Sequence, residues 1–324
     1  GEVSYGELRG LKLLRRTWLP EGSGKGKGIK ALVFVCHGFA EHCGRYDEVA
    51  KSLNQKGFAV FAQDHHGHGM SDGPRCIFTD YQHFVNDFVG FVDEVVAKYP
   101  KLPLFLLGHS MGGAIGLKVA STQPERWAGV VLSAPMIDLS RSGWKRPVVW
   151  AAGKLVPSAI QRRLARPPWV FQLKFWDSLV SCSLAWVEKT AAKAFGRLLP
   201  NLAIDKINPK AISRQAHVVK DYIDDPLNFT GAVTAGSALQ LLRLADDINS
   251  DKTLLRCTFP LAIFHGTSDA LTCHVASEQL LEAVPTEDKY LRLYPGLYHE
   301  ILKEQEGPSI LNDMIRWMVL HLDA

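Results

Sequence analysis

The chain has 324 residues, 47% of them hydrophobic and 22% charged, which is enough apolar material for a large core and excludes a disordered chain. A formal net charge of +4 is small for this length and implies no nucleic-acid partner. The six cysteines (Cys36, Cys43, Cys76, Cys182, Cys257, Cys273) contain no CxxC pair, which argues against a disulfide framework or a structural zinc and for a reducing compartment.

In chain order, Val3 to Leu19 reads as a hairpin turning at Gly10, and Glu21 to Gly28 as a glycine- and lysine-rich loop. Strand-like apolar runs follow at Ala31 to His37, Phe58 to Asp64, Pro103 to Ser110, Gly129 to Ala134, Pro260 to His265 and Lys289 to Tyr294. Helical patterns lie between and after them, at Tyr46 to Lys56, Tyr81 to Lys98, Met111 to Thr122, His274 to Ala283 and Pro308 to His321. This alternation predicts an α/β fold, a mostly parallel central sheet flanked by helices.

The rhythm stops between residues 137 and 251, where amphipathic, tryptophan-rich helical patterns replace buried strands. The expected organisation is a core of residues 1–136 and 252–324 interrupted by a helical cap, or lid, at 137–251. From Leu139 to Trp176 there is no acidic residue, but there are eight basic ones: Arg141, Lys145, Arg146, Lys154, Arg162, Arg163, Arg166 and Lys174. Five of the eight tryptophans (Trp144, Trp150, Trp169, Trp176, Trp186) fall in the same insertion. Cations beside indole suit peripheral contact with an anionic membrane interface. The alternative is a cap whose tryptophans pack inward and whose cations are solvated. No apolar run approaches the roughly 20 residues that cross a bilayer, and no secretion leader precedes the first strand, so the expected location is cytoplasmic and peripherally membrane-associated.

Gly108-His109-Ser110-Met111-Gly112 follows the apolar run Leu104 to Leu107 and precedes a small-residue helical stretch. It reads as a nucleophile elbow, with Ser110 on a sharp strand-to-helix turn whose flanking glycines leave room for neighbouring backbone. A serine hydroxyl needs a base and an acid that orients the base. Asp269, after the run Leu261 to His265, and His299, after Tyr290 to Tyr294, stand downstream in the order serine, acid, histidine, each on a loop leaving a strand's C-terminal end. The oxyanion donors are expected to be the amides of Met111 and of Phe39, the latter in the loop His37-Gly38-Phe39-Ala40-Glu41-His42.

Other candidates have plainer readings. Asp64 ends a strand but precedes the serine and is expected to bond its own turn. Asp246 and Asp247 are read as surface residues of a helix, and His109, His265 and His321 as structural. His65, His66 and His68 lack a carboxylate or cysteine at a familiar metal-ligand spacing. No metal or organic cofactor is expected.

In combination, His37 to His42, Gly44-Arg45-Tyr46, Asp64 to Gly69, Gly108 to Gly113, Asp225-Pro226-Leu227, Gly266 to Asp269 and Tyr298-His299 resemble the monoacylglycerol lipase family of serine α/β-hydrolases, over nearly the whole chain. The resemblance implies an α/β-hydrolase fold with a mobile helical cap, membrane association, and cleavage of monoacylglycerol to fatty acid and glycerol. It assigns Ser110, Asp269 and His299 as nucleophile, acid and base, as position already does. It further implies that Glu41, Arg45 and Tyr222 receive the glycerol head. A carboxylate, guanidinium and phenol can bond adjacent hydroxyls, and the same pair can equally be a salt bridge bracing the loop.

Leu302 departs from the pattern, since mammalian members usually carry a second histidine three residues after the catalytic one. A lysophospholipase, an acyltransferase or a broader carboxylesterase on the same three residues is the alternative activity. A non-catalytic module binding a lipid or a protein is the alternative outside enzymes. The acyl chain would need apolar walls, for which Leu155, Ile160, Leu179, Leu184, Leu239, Leu241 and Leu242 are candidates.

Overall fold

The computed structural model describes residues 1–23, 26, 28–139 and 196–322. Strands β1 (Glu2–Leu8) and β2 (Leu11–Trp18) form the N-terminal hairpin, turning at Arg9 and Gly10, both at positive φ. They are followed by β3 (Ala31–Cys36), β4 (Phe58–Gln63), β5 (Leu104–His109), β6 (Trp127–Ser133), β7 (Ala203–Lys206), β8 (Ala232–Thr234), β9 (Leu261–Gly266) and β10 (Lys289–Tyr294). The described α-helices are α1 (Asp47–Asn54), α2 (Gln82–Lys98), α3 (Met111–Thr122), α4 (Ala216–Asp224), α5 (Ala235–Ile248), the short α6 (Asp251–Leu254), α7 (His274–Ala283) and α8 (Gly307–Leu320).

Eight strands make one sheet in the order β1-β2-β4-β3-β5-β6-β9-β10, parallel from β4 onwards, with β2 antiparallel to β4. Strands β3, β4, β5 and β9 are buried along their whole length, which is why they read as continuous apolar runs rather than alternating ones. Successive residues still face opposite layers. Leu32 and Phe34 of β3 pack with Phe84, Phe88 and Phe91 of α2 and with α3, α5 and α7. Val33 and Val35 face the other way, against Val49 and Leu53 of α1 and Met314 and Trp317 of α8. The outer strand β10 is largely exposed and carries Lys289 and Arg292, charges that discourage edge pairing.

Two features differ from the sequence reading. β7 and β8 pair antiparallel as a separate ribbon within the segment read as helical. They are four and three residues long and β7 is mostly exposed, too little for a period-two signal. Helix α5, at the end of that segment, buries Leu241, Leu244 and Ile248 in the main core beside α3. The stretch from Ser140 to Trp176, Cys182, Trp186 and the wall candidates Leu155, Ile160, Leu179 and Leu184 lie outside the described residues. Among the described residues no helix is long and apolar enough to cross a membrane.

The close approach of α3 to β3 and β5 fixes the centre of the molecule. A Cβ on Gly108 would lie 2.7 Å from the Gly112 carbonyl oxygen, and one on Gly112 would overlap the carbonyl oxygens of Cys36 and His37. All of these obstacles are backbone, so nothing nearby can yield. Gly112→Ala is expected to destabilise the fold by about 3 kcal/mol, the scale of overpacking a rigid interior. Denaturant unfolding followed by circular dichroism measures this, and an unchanged midpoint would contradict the contact.

Candidate active site

Ser110 sits at the junction of β5 and α3 with φ 53° and ψ −121°. A non-glycine residue there carries strain of roughly 1–3 kcal/mol and persists only where its surroundings over-determine it. They do so here through the neighbouring strand. The Ser110 amide donates to the Ser133 carbonyl at the end of β6 (3.1 Å), and the Ser110 carbonyl accepts from Gly113 (3.0 Å) and Met136 (2.9 Å). The turn lifts the hydroxyl above the C-terminal edge of the sheet, where a cleft enclosing about 560 Å³ opens.

Loops from β9 and β10 bring the predicted acid and base to the same edge. His299 Nδ1 lies 2.7 Å from Asp269 Oδ2. The other carboxylate oxygen, Oδ1, accepts from the amides of Leu271 (2.7 Å) and Thr272 (3.0 Å). Oδ2 also meets the Thr272 hydroxyl at 2.7 Å and His265 Nε2 at 3.1 Å. Burial alone would lift the Asp269 carboxyl, but the adjoining His299 ring, with hydrogen bonds from His265 and His299, takes it far below the usual carboxylate range. Burial disfavours the charged ring of His299, and Asp269 outweighs this, so the histidine titrates above its ordinary value. Ser110 and His299 line one cleft. A carboxylate on Nδ1 leaves Nε2 as the nitrogen available to a hydroxyl.

The expected oxyanion residues reach this cleft as well. Met111 opens α3, so its amide has no carbonyl one turn back in its own helix. The Phe39 loop is pressed against the elbow: a Cβ on Gly38 would lie 3.1 Å from Ser110 Cβ, and Ala40 takes a positive φ of 64°.

Glu41, Arg45 and Tyr222 form the polar end of the cleft. Arg45 donates to Glu41 Oε2 at 2.8 Å, so the salt-bridge reading describes a contact that exists, and cleft exposure keeps the head-group reading compatible with it. The Gly38 amide (2.6 Å) and the Tyr46 hydroxyl (2.8 Å) donate to Glu41 Oε1. Burial works against the Glu41 charge, and Arg45, His109 and these donors overcome it, lowering its pKa to about 2. The Tyr222 hydroxyl donates to the Ala40 carbonyl at 3.2 Å, and its ring lies 5.2 Å from the Arg45 guanidinium carbon. Glu300, which sequence reasoning missed, grips the same guanidinium with both oxygens, at 2.6 and 2.8 Å. Its partner is 255 residues away, and no local pattern announces such a pair. Leu302 lies on the other side of this ion pair, where Glu41, Arg45 and Glu300 also line a second hollow with Tyr46, Val49 and Lys303.

The rival residues have structural partners. Asp64 accepts from the amides of Cys43 and Met70. His109 Nδ1 is 3.0 Å from the Ser133 carbonyl, and its ring stands 4.8 Å from that of His299. His65 pairs with His37, and His68 with the His66 carbonyl. Asp247 meets Lys118 and Tyr81 rather than solvent alone. His265, read as structural, is buried and bonds Ser277 as well as Asp269. Among the described residues no group of three or more His, Cys, Asp or Glu side chains could hold a metal.

A mostly parallel eight-stranded sheet with a strained serine between a strand and a helix defines the α/β-hydrolase class. Residues 27–174 and 168–306 match the serine aminopeptidase S33 family of that class. The chain is 34% identical to the monoglyceride lipase of Rattus norvegicus over 311 residues (95% of this chain, 87% of the relative) and 32% identical to the monoacylglycerol lipase of Mycolicibacterium smegmatis over 321 residues (99% and 98%). The crystal structure of the Paleococcus ferrophilus monoacylglycerol lipase superposes with a TM-score of 0.70 at 27% identity, covering 95% of this chain and 99% of the other. The chain belongs to the monoacylglycerol lipase family.

A histidine base works only when neutral and the pKa of His299 is raised, so on the reading of His299 as the base kcat/KM is expected to fall on the acid side through a midpoint above the ordinary histidine value of about 6.5. Asp269→Asn removes the charge that raises it, so the midpoint should move down and kcat should drop on the order of 10⁴-fold. A pH–rate profile of both proteins checks the sign. An Asn variant with an unmoved midpoint would show that another group titrates.

Proposed function

We propose that this chain hydrolyses the ester of monoacylglycerol to fatty acid and glycerol through an acyl-enzyme on Ser110. The observation that carries the reading is the cleft itself. The cleft that holds Ser110 is lined by a linked polar cluster (Glu41, Arg45, Tyr222, Glu300) and by the apolar side chains of Met136, Leu139, Ile207, Ile212, Leu241 and Leu271. A lipid with a hydroxylated head and one acyl chain matches that division. The names of the relatives, monoglyceride and monoacylglycerol lipases, support the same substrate class.

In this mechanism His299 Nε2 takes the proton of the Ser110 hydroxyl as the oxygen adds to the ester carbonyl. Asp269 stabilises the imidazolium, and the amides of Met111 and Phe39 hold the oxyanion. Collapse breaks the bond to the glycerol oxygen, which leaves with the proton from His299. Water, deprotonated by His299, then adds to the acyl carbonyl, and the fatty acid departs as the proton returns to Ser110. Residues of the chain supply every proton transfer. A serine-directed fluorophosphonate is expected to label the wild type and not Ser110→Ala, whose turnover of 1-acylglycerol should drop by at least about 10⁴-fold. Labelling that survives in Ser110→Ala sinks the nucleophile assignment. A matched lysophosphatidylcholine hydrolysed as fast as the acylglycerol would favour the lysophospholipase reading.

We also propose the division into a core of 1–136 and 252–324 with an insertion at 137–251. It is supported by β6 and β9 lying side by side, Val130 against Leu261, so the chain leaves the sheet after one strand and re-enters beside it. The composition of Leu139 to Trp176 supports peripheral contact with anionic membranes. Binding to phosphatidylserine vesicles is expected to weaken at least about tenfold between low salt and 0.5 M salt, as exposed charges are screened. Co-sedimentation measures this, and salt-insensitive binding would point to apolar contact instead.

A further inference from the structure

Arg45 faces two carboxylates at once. Glu41 comes from the loop after β3 and Glu300 from the loop after β10, and all three side chains are nearly buried, with exposures of 5% for Glu41, 7% for Glu300 and 11% for Arg45. One guanidinium between two carboxylates leaves an excess of one negative charge at the head-group end of the cleft. Lys303 sits on the far side, where its ammonium donates to the Arg45 carbonyl (3.1 Å) and lines the second hollow rather than the cleft. A brace alone would need only one of the two acids. Glu300 is moreover fixed from both ends, since its amide donates to the Ile212 carbonyl at 2.7 Å while its carboxylate holds Arg45 in two places.

We propose that Glu300 is a specificity-determining residue: by adding a second carboxylate to the Arg45–Glu41 pair it turns a neutral site with an open guanidinium fork into an anionic one, so that the cleft accepts an uncharged polyol head and rejects a phosphorylated one. Without Glu300, Arg45 and Glu41 form a neutral pair in which the two guanidinium donors that Glu300 now holds are free, a fork that suits a phosphate. With it, those donors are occupied and a phosphate meets uncompensated negative charge in a site of low permittivity. A glycerol hydroxyl carries no charge and can donate to either carboxylate. The idea deepens the acylglycerol reading and rests on it.

The test compares kcat/KM for 1-oleoylglycerol and for 1-oleoylglycerol 3-phosphate in neutral detergent micelles, using the full chain. The wild type is expected to prefer the uncharged substrate strongly. Glu300→Gln keeps the shape and removes the charge, and should reduce the preference by about tenfold or more whatever happens to the absolute rates. Glu300→Asp keeps the charge and should hold the preference within about threefold of wild type. Equal loss on both substrates in Glu300→Gln, or the same change in both variants, would reduce Glu300 to a strut and overturn the proposal. If Glu300→Gln fails to fold, inhibition of the wild type decides: glycerol should inhibit and glycerol 1-phosphate should do so at least about tenfold more weakly, and equal inhibition overturns it. A wild type inactive on both esters overturns the acylglycerol reading itself, and this inference with it, a result distinct from an unchanged ratio in an active enzyme.

Discussion

Everything at the site depends on one backbone conformation, the positive φ of Ser110, and on the packing that holds it. The strain at that residue is opposed by the fit of α3 onto β3 and β5, which only glycine at 108 and 112 allows. Hydrogen bonds to its carbonyl from Gly113, Ala114 and Met136, and one from its amide to Ser133, fix the turn. The elbow is thereby tied to the strand on one side and, through Gly38, to the loop of the strand on the other. Since β5 lies near the middle of the sheet, loops leaving β3, β6, β9 and β10 converge on the serine from both sides. The position of a single strand in the order decides which loops can meet it.

The Asp269 pocket illustrates the difference between bringing groups together and preparing them. The carboxylate receives two backbone amides on Oδ1, and a hydroxyl and two ring nitrogens crowd Oδ2. The Thr272 hydroxyl has a single proton and two acceptors within reach, Asp269 Oδ2 at 2.7 Å and the Ala134 carbonyl at 3.1 Å, and the shorter contact is to the acid. Ser277 occupies the other nitrogen of His265. The acid is therefore anchored independently of His299, and the imidazole finds its partner already oriented. That is the condition under which an electrostatic contribution costs no reorganisation during reaction.

What the sequence made legible follows the range of the interactions involved. The continuous apolar runs of β3, β4, β5 and β9 place the strands within a residue or two, because full burial imposes that composition locally. Helix α3 begins and ends where the pattern puts it, Met111 to Thr122. Ser110, Asp269 and His299 were legible as candidates because each follows a recognisable strand and their order is constrained. Glu300, Thr272 and His265 were not, since each acts through a partner that only the fold brings near. Thr272 and His265 stand three and four residues from Asp269 and had a faint signal, two polar groups bracketing an acid, whereas the pairing of Glu300 with Arg45 had none. The β7–β8 ribbon escaped for a different reason: β7 is short and mostly exposed and β8, though largely buried, has only three residues, too few to write a pattern into sequence.

The two ends of the cleft are built from different parts of the chain, and this separates what can change from what cannot. Glu41, Arg45 and Glu300 stand on connections of the central sheet and are locked to the elbow through Gly38, so a change at the polar end is transmitted to Phe39 beside Ser110. Ile207, Ile212 and Leu241 of the apolar flank come from the segment between β6 and β9. Their contacts are apolar and non-directional, so substitutions that conserve volume there leave the reacting groups where they are. Tyr222 and Ile212 are two of the points where they meet, the first through its hydroxyl on Ala40 and the second through its carbonyl on Glu300, beside the Phe229 amide on the same Ala40 carbonyl and Asp225 on His42. A movement of that segment therefore acts on the loops of the polar end through these hydrogen bonds, and through Glu300 it reaches the neighbouring His299.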